Sequence, residues 1–173
     1  MAGEDKKMSV FIAYGSNLLS GPVTASQAFS EVVKALQEEG LFVNKISRLW
    51  ASKAWPEPDD PPYVNAVVQI ATDLQPIELM LLLHDLERGS GRIRDGRLNA
   101  PRVLDLDLIA FGDQVMRGEK GLILPHPRAA DRAFVMGPLA EIAPDWIHPV
   151  LRKTATDLFK SATIGTDAHP LSA

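Results

Sequence analysis

Apolar residues recur along this chain in two rhythms, and each change of rhythm marks an element. Residues 8–14, MSVFIAY, are almost continuously apolar, which predicts a buried strand; Gly15, Ser16 and Asn17 then end it with turn chemistry. From 23 to 38 the spacing lengthens, with Ala25, Ala28, Phe29, Val32, Val33 and Leu36 on one helical face and Gly40 suited to the C-terminal end. Leu41, Val43, Ile46 and Leu49 predict a second strand over 41–50. Residues 63–72, YVNAVVQIAT, alternate. Val64, Ala66, Val68 and Ile70 form the core face, and Tyr63, Asn65, Val67 and Gln69 form the open one. Pro76 opens a helix to about Arg88, with Ile77, Met80, Leu81, Leu83 and Leu86 on its buried side. Val103, Leu104, Leu106, Leu108 and Ile109 predict a further strand, bounded by Pro101 and Gly112. A hairpin with its turn near 117–120 and a short helix and turn over 135–147 follow, and the pattern is weak after about 155. Strand, helix, strand, strand, helix, strand is an α+β order. It predicts a ferredoxin-like antiparallel sheet with helices on one face, extended by long loops and a C-terminal segment. The other face is left for ligands.

Two stretches break both rhythms. Residues 51–62, ASKAWPEPDDPP, hold four prolines and three acids, so they form a loop. Trp55 within it either packs back onto the domain or closes over a flat ligand. Residues 89–101, GSGRIRDGRLNAP, combine three glycines with three arginines and run directly into the strand that carries Asp105 and Asp107. In a strand those two carboxylates lie side by side, with Leu104, Leu106 and Leu108 pointing the other way. Such a pair stays ionised beside a positive charge, and oxygen ligands favour a hard ion such as magnesium. A solvated strand face would show the same spacing. The preceding Arg92, Arg94, Arg97 and Arg102 tip the reading toward a metal–polyphosphate site. Asn65 carries a donor and an acceptor for a heterocycle edge, although a solvent-facing asparagine fits that strand equally well.

Composition narrows the class. At 173 residues, with 46% hydrophobic and 23% charged residues, one globular domain over 8–155 is expected, with a disordered 1–7 and a weakly specified tail at 156–173. The net charge of -4 argues against nucleic acid as the main partner. The RNA-binding signature of exposed aromatics is absent too, so a non-catalytic nucleotide- or RNA-binding module is the weaker alternative. There are no cysteines, hence no disulfides or thiolate metal sites. No apolar run approaches the roughly 20 residues that span a bilayer. MAGEDKK is not followed by a signal-peptide core. A cytoplasmic monomer is expected.

Several ordered motifs, spread from about Val10 to Pro149, resemble the hydroxymethyl-dihydropterin pyrophosphokinases of folate biosynthesis. They are A-x-G-S-N at 13–17, P-Y-x-N-A at 62–66, G-R-x-R at 91–94, P-R-x-x-D-L-D at 101–107, P-H-P-R at 125–128, R-x-F at 132–134 and P-L-A-E-I-A-P at 138–144. The resemblance implies an ATP diphosphotransferase that moves pyrophosphate to the hydroxymethyl group of a reduced pterin and releases AMP. It implies Asp105 and Asp107 as ligands of two Mg2+ ions, with Arg92 and Arg102 completing the catalytic set. It places the pterin between Tyr63 and Phe134, read by Asn65, with Ser52, Lys53, Trp55 and Asp105 around it. Glu87, Arg92, Arg94, Arg102, Leu108, His126 and Arg132 are implied as ATP contacts. No dedicated base is implied, so positioning and electrostatics carry the chemistry. Three positions depart from the family pattern: 98–100 reads Leu-Asn-Ala where many members have a Trp, Lys53 stands where proline is common, and Pro127 where a Tyr sometimes follows the histidine.

Overall fold

The computed structural model describes residues 8–16, 24–53, 59, 62–90 and 104–172. Its centre is an antiparallel sheet. β1 (Val10–Ser16) lies between β4 (Tyr63–Ala71) and β5 (Asp105–Phe111), and β4 pairs on its other side with both β2 (Phe42–Ile46) and β3 (Trp50–Ser52). A hairpin of β6 (Met116–Glu119) and β7 (Leu122–Leu124) follows β5. The single strand expected over 41–50 is two strands. Ser47, buried between them, donates its N–H to the Val67 carbonyl and accepts the Val67 N–H on Oγ. A side chain thus stands in for part of the ladder and the edge bends there. Gly15 and Ser16 belong to β1 rather than to a turn, because pairing with Asn65 and Val64 carries the strand on through them.

Each sheet face has its own core. On one face, Val10, Ile12, Ala66, Val68, Leu106 and Leu108 meet α1 (Ala25–Glu38) and α2 (Pro76–Gly89) through Phe29, Leu36, Leu79 and Leu83. Thr24 caps α1, accepting the Gln27 N–H at 3.2 Å. On the other face, Phe11, Val67 and Ile109 meet α3 (Ala133–Ile142) and α4 (Ala155–Ser161) through Val135, Met136, Leu139 and Leu158. The expectation of helices on one face only is therefore corrected. The second face carries apolar side chains at alternate positions, and a helix must cover them. α3 is apolar nearly all round because it is enclosed by the sheet, α4 and Trp50. Glu141 pins it in place, accepting the Arg48 N–H at 2.9 Å and the Trp50 Nε1–H at 3.0 Å.

Regular structure continues past 155. α4 packs on α3, and β8 (His169–Pro170) adds to the outer edge of β3. No helix among the described residues is long and apolar enough to cross a membrane.

Candidate active site

α3 covers only part of the second face. Beyond it the same row of sheet positions turns from apolar to polar. Ladder register places Asn65, Gly15 and Asp105 side by side across β4, β1 and β5, and places Val67, Ala13 and Asp107 in the next row. Register partners in an antiparallel ladder share a face, so both aspartates and Asn65 point to the side where α3 lies. Gly15 forms a floor between them. A Cβ there would stand 3.6 Å from Asn65 Oδ1 and 3.9 Å from the Asp105 Cβ, so glycine leaves a side-chain-free gap between an amide and a carboxylate.

Asn65 is buried, at 7% exposure, so it is not the solvent-facing residue that its strand alone would allow. Its Nδ2 donates to Ser52 Oγ at 3.1 Å, and Ser52 is itself buried on β3. That bond fixes the amide with its oxygen toward Gly15. Tyr63, paired with Ser52 in the ladder, is half-buried at the start of β4. Lys53 is exposed where β3 ends.

The second wall comes from the segment leading into α3. His126 is held by its N–H on the Ile109 carbonyl at 2.8 Å, and its Nδ1 accepts the Arg128 N–H at 3.3 Å. Burial pushes the imidazole below its ordinary pKa; Asp107 pulls the other way, and Arg132 and Arg128 push further down. The ring is therefore neutral at pH 7, with its proton on Nε2 by the logic of its Nδ1 contact. Arg132, at the start of α3, feels the same neighbours. Burial and Arg128 lower its pKa while Asp107 and Asp105 oppose them. Its Nε is, among the described residues, buried with no hydrogen-bond partner, and its Cζ lies 5.7 Å from the centre of the Phe134 ring. A buried guanidinium N–H without a partner among the described residues is chemically able to meet an anion.

A cleft of about 240 Å³ runs along the outer edge of β5. Its walls are Met80, Leu83 and His84 from α2 with Leu108, Leu122 and Ile123, and Asp107 and His126 also line it. Apolar walls with a few polar groups suit a flat ring joined to a charged chain. Glu87 is not on those walls. It is 3% exposed, and its Oε1 accepts the Leu106 N–H at 2.7 Å, between the two aspartates in sequence. That bond holds β5 from the α2 side.

Of the residues expected from sequence, Ser52, Asn65, Tyr63, Asp105, Asp107, His126, Arg132 and Phe134 come to one end of the sheet, and Leu108 lines the cleft. Trp55, Arg92, Arg94 and Arg102 lie outside the described residues. Turn chemistry at Gly15 did not point to a floor, and no local pattern places His84 on the wall of the cleft.

Residues 11–144 match the family described as 7,8-dihydro-6-hydroxymethylpterin-pyrophosphokinase. The 2-amino-4-hydroxy-6-hydroxymethyldihydropteridine pyrophosphokinase of Aquifex aeolicus is 35% identical over 147 residues, covering 84% of this chain and 86% of that protein. The one from Synechocystis is 41% identical over 121 residues, covering 70% and 60%. The folic acid synthesis protein fol1 of Pneumocystis carinii is 33% identical over 152 residues, 88% of this chain. The chain spans only 20% of that longer relative. Among solved structures, an HPPK-DHPS in complex with substrates superposes with a TM-score of 0.71 at 11% identity, covering 96% of this chain and 47% of that one. At that identity the likeness is one of fold.

Proposed function

The chain belongs to the 7,8-dihydro-6-hydroxymethylpterin-pyrophosphokinase family, and from that premise we propose that it transfers pyrophosphate from ATP to the hydroxymethyl group of 6-hydroxymethyl-7,8-dihydropterin, releasing AMP. The observation that carries this reading is the row Asn65–Gly15–Asp105, with Asp107, His126 and Arg132 beside it. One end of the row suits a heterocycle edge and the other a metal-bound polyphosphate.

The donor set fits magnesium. Two carboxylates at alternate positions of one strand, without a third acidic or histidine ligand among the described residues, suit an ion that keeps waters and shares substrate phosphates. In this proposal Asp105 and Asp107 hold two Mg2+ ions, which when bound would offset charge on the phosphates and acidify the attacking alcohol. Asn65, fixed by Ser52, reads the pterin edge; Tyr63 and Phe134 flank the ring; the backbone at Ser52 and Lys53 completes the pocket, with Trp55 as its lid. Arg132, with Arg92, Arg94 and Arg102, grips phosphate oxygens by charge-assisted bonds. Neutral His126 donates from Nε2 to the same chain. The apolar cleft takes the adenine, with Leu108 on its wall and Glu87 holding the strand beneath. The active groups position and stabilise, which is the main need in phosphoryl-type transfer.

The order β1-α1-β2-β4-α2-β5, with β5 and β4 flanking β1, supports a ferredoxin-like core to which α3, α4 and β8 are additions. We expect a cytoplasmic monomer. AMP formation tests the reading. AMP should appear only when ATP, the dihydropterin and magnesium are all present. ADP in its place, or no AMP from folded protein, would overturn it.

A further inference from the structure

The segment after α4 lies outside the matched residues 11–144, yet it touches both walls of the site. At its start, Thr163 donates from N and Oγ1 to the Asp131 carboxylate, at 2.8 and 2.9 Å. The Ile164 N–H bonds the Asp131 carbonyl at 3.0 Å, and the Ile164 carbonyl takes the Ala133 N–H at 2.8 Å. Arg132 is bracketed by these bonds and forms a bridge with Ile164. Gly165 comes next, at φ +67, flush against Phe134: a Cβ there would sit 2.4 Å from Phe134 Cδ1. Two residues later the Asp167 Oδ2 accepts the Lys53 N–H at 2.7 Å. β8 then pairs with β3, and the Leu171 N–H closes on the Leu49 carbonyl at 2.8 Å.

One short segment thus seats the Phe134 ring on one side and holds the backbone next to Ser52 on the other. We propose that residues 163–171 are a strap that sets the spacing of the heterocycle slot, with Gly165 and Asp167 as positioning residues for the pterin. This rests on the functional reading above, since it names the ligand of that same site. Neither residue touches the reacting atoms. Gly165 acts through the ring of Phe134: only a glycine both adopts that backbone conformation without strain and leaves room for the ring. Asp167 acts through Lys53: its carboxylate accepts the Lys53 N–H just beyond the ladder that β3 makes with β8. Because a slot for a flat ring tolerates little error in width, small displacements of either wall should register in affinity.

The test is equilibrium binding of the dihydropterin and, separately, of a non-hydrolysable ATP analogue with magnesium, for wild type, D167A, D167N and G165A. Hydrogen exchange at the Lys53 amide accompanies it. D167A should weaken pterin binding by about tenfold, with the ATP analogue within about twofold, and should speed exchange at Lys53. D167N, whose amide oxygen can still accept that N–H, should restore both values. G165A should weaken pterin binding at least as much as D167A. If it fails to fold, the D167A and D167N pair decides. Variants that bind pterin as wild type does, or that lose both ligands equally, would overturn the strap. Wild-type protein that binds ATP but no pterin would instead overturn the functional reading, and the ligand named here with it.

Discussion

Replacing Glu87 with alanine removes the acceptor that holds Leu106, the residue between the two aspartates. The side chain is 3% exposed and the bond is 2.7 Å, so water does not replace it freely. A buried N–H left unpaired costs about 1–3 kcal/mol. The lost methylene adds about 0.8 kcal/mol. The better helix propensity of alanine offsets a few tenths of this. The net expectation is about 2 kcal/mol of lost stability. For a chain of this size that is about 4–8 °C in Tm. E87Q keeps an oxygen at the same place but not the charge, so it should lose about half as much. Both values come from thermal and urea unfolding followed by circular dichroism. In folded E87A the aspartate pair is no longer backed, so the magnesium concentration for half-maximal AMP formation should rise. E87A within about 0.5 kcal/mol of wild type, or E87Q costing more than E87A, would refute the view that Glu87 serves as the acceptor for β5.

Four further outcomes are expected. D107N should cut turnover by at least about a hundredfold in protein shown to be folded, read as AMP release; a magnesium-responsive, active variant would remove Asp107 from the metal site. N65A should weaken dihydropterin binding far more than ATP binding, measured by separate titrations, since the amide faces Gly15 and not the cleft. G137A should destabilise by about 1–3 kcal/mol in urea, because a Cβ there would lie 2.5 Å from the Trp50 ring and that overpacking outweighs the helix-propensity gain of up to about 1 kcal/mol. His148 accepts the Val150 and Leu151 N–H groups on Nδ1, and burial holds its pKa below the ordinary 6.5. The unfolded chain therefore takes up that proton first, so His148's contribution is whole above pH 6.5 and falls as the solution is acidified. H148N, which retains an acceptor near Nδ1, should show a smaller Tm loss than wild type between pH 7.5 and pH 5.5.

Most of the sheet was legible because strands and helices differ in period. The alternation of Val64, Ala66, Val68 and Ile70 and the helical spacing of Phe29, Val32 and Leu36 led to the right elements. The cover on the second face was also written in the chain. Residues 8–14 are apolar at both odd and even positions, which only a strand buried on both faces requires, and Val67 interrupts the polar face of β4. They do not place the covering helix, because α3, apolar nearly all round, lacks the amphipathic period that locates a helix against a sheet. The aspartate pair and Asn65 could be placed on one face from strand period alone. That they stand opposite each other across Gly15 could not, because register between strands distant in sequence is set by tertiary pairing. The contacts of 163–171 left no local trace at all. They depend on where Phe134 and Lys53 end up, not on any repeat within the tail.

The floor and the walls of this site face different mutational constraints. Asn65, Gly15, Asp105 and Asp107 sit on three mutually paired strands next to both cores, so an exchange there alters ligand choice and folding together. Lys53 follows the short strand β3, and among the described residues its backbone N–H meets the strap at one carboxylate, that of Asp167. A lineage can therefore vary the closing side of the slot at little cost to the domain, retuning affinity or escaping an inhibitor, while the floor stays fixed. Resistance to a compound that stacks in the slot should arise first at the wall positions, and a compound anchored only to the floor leaves selection fewer ways out.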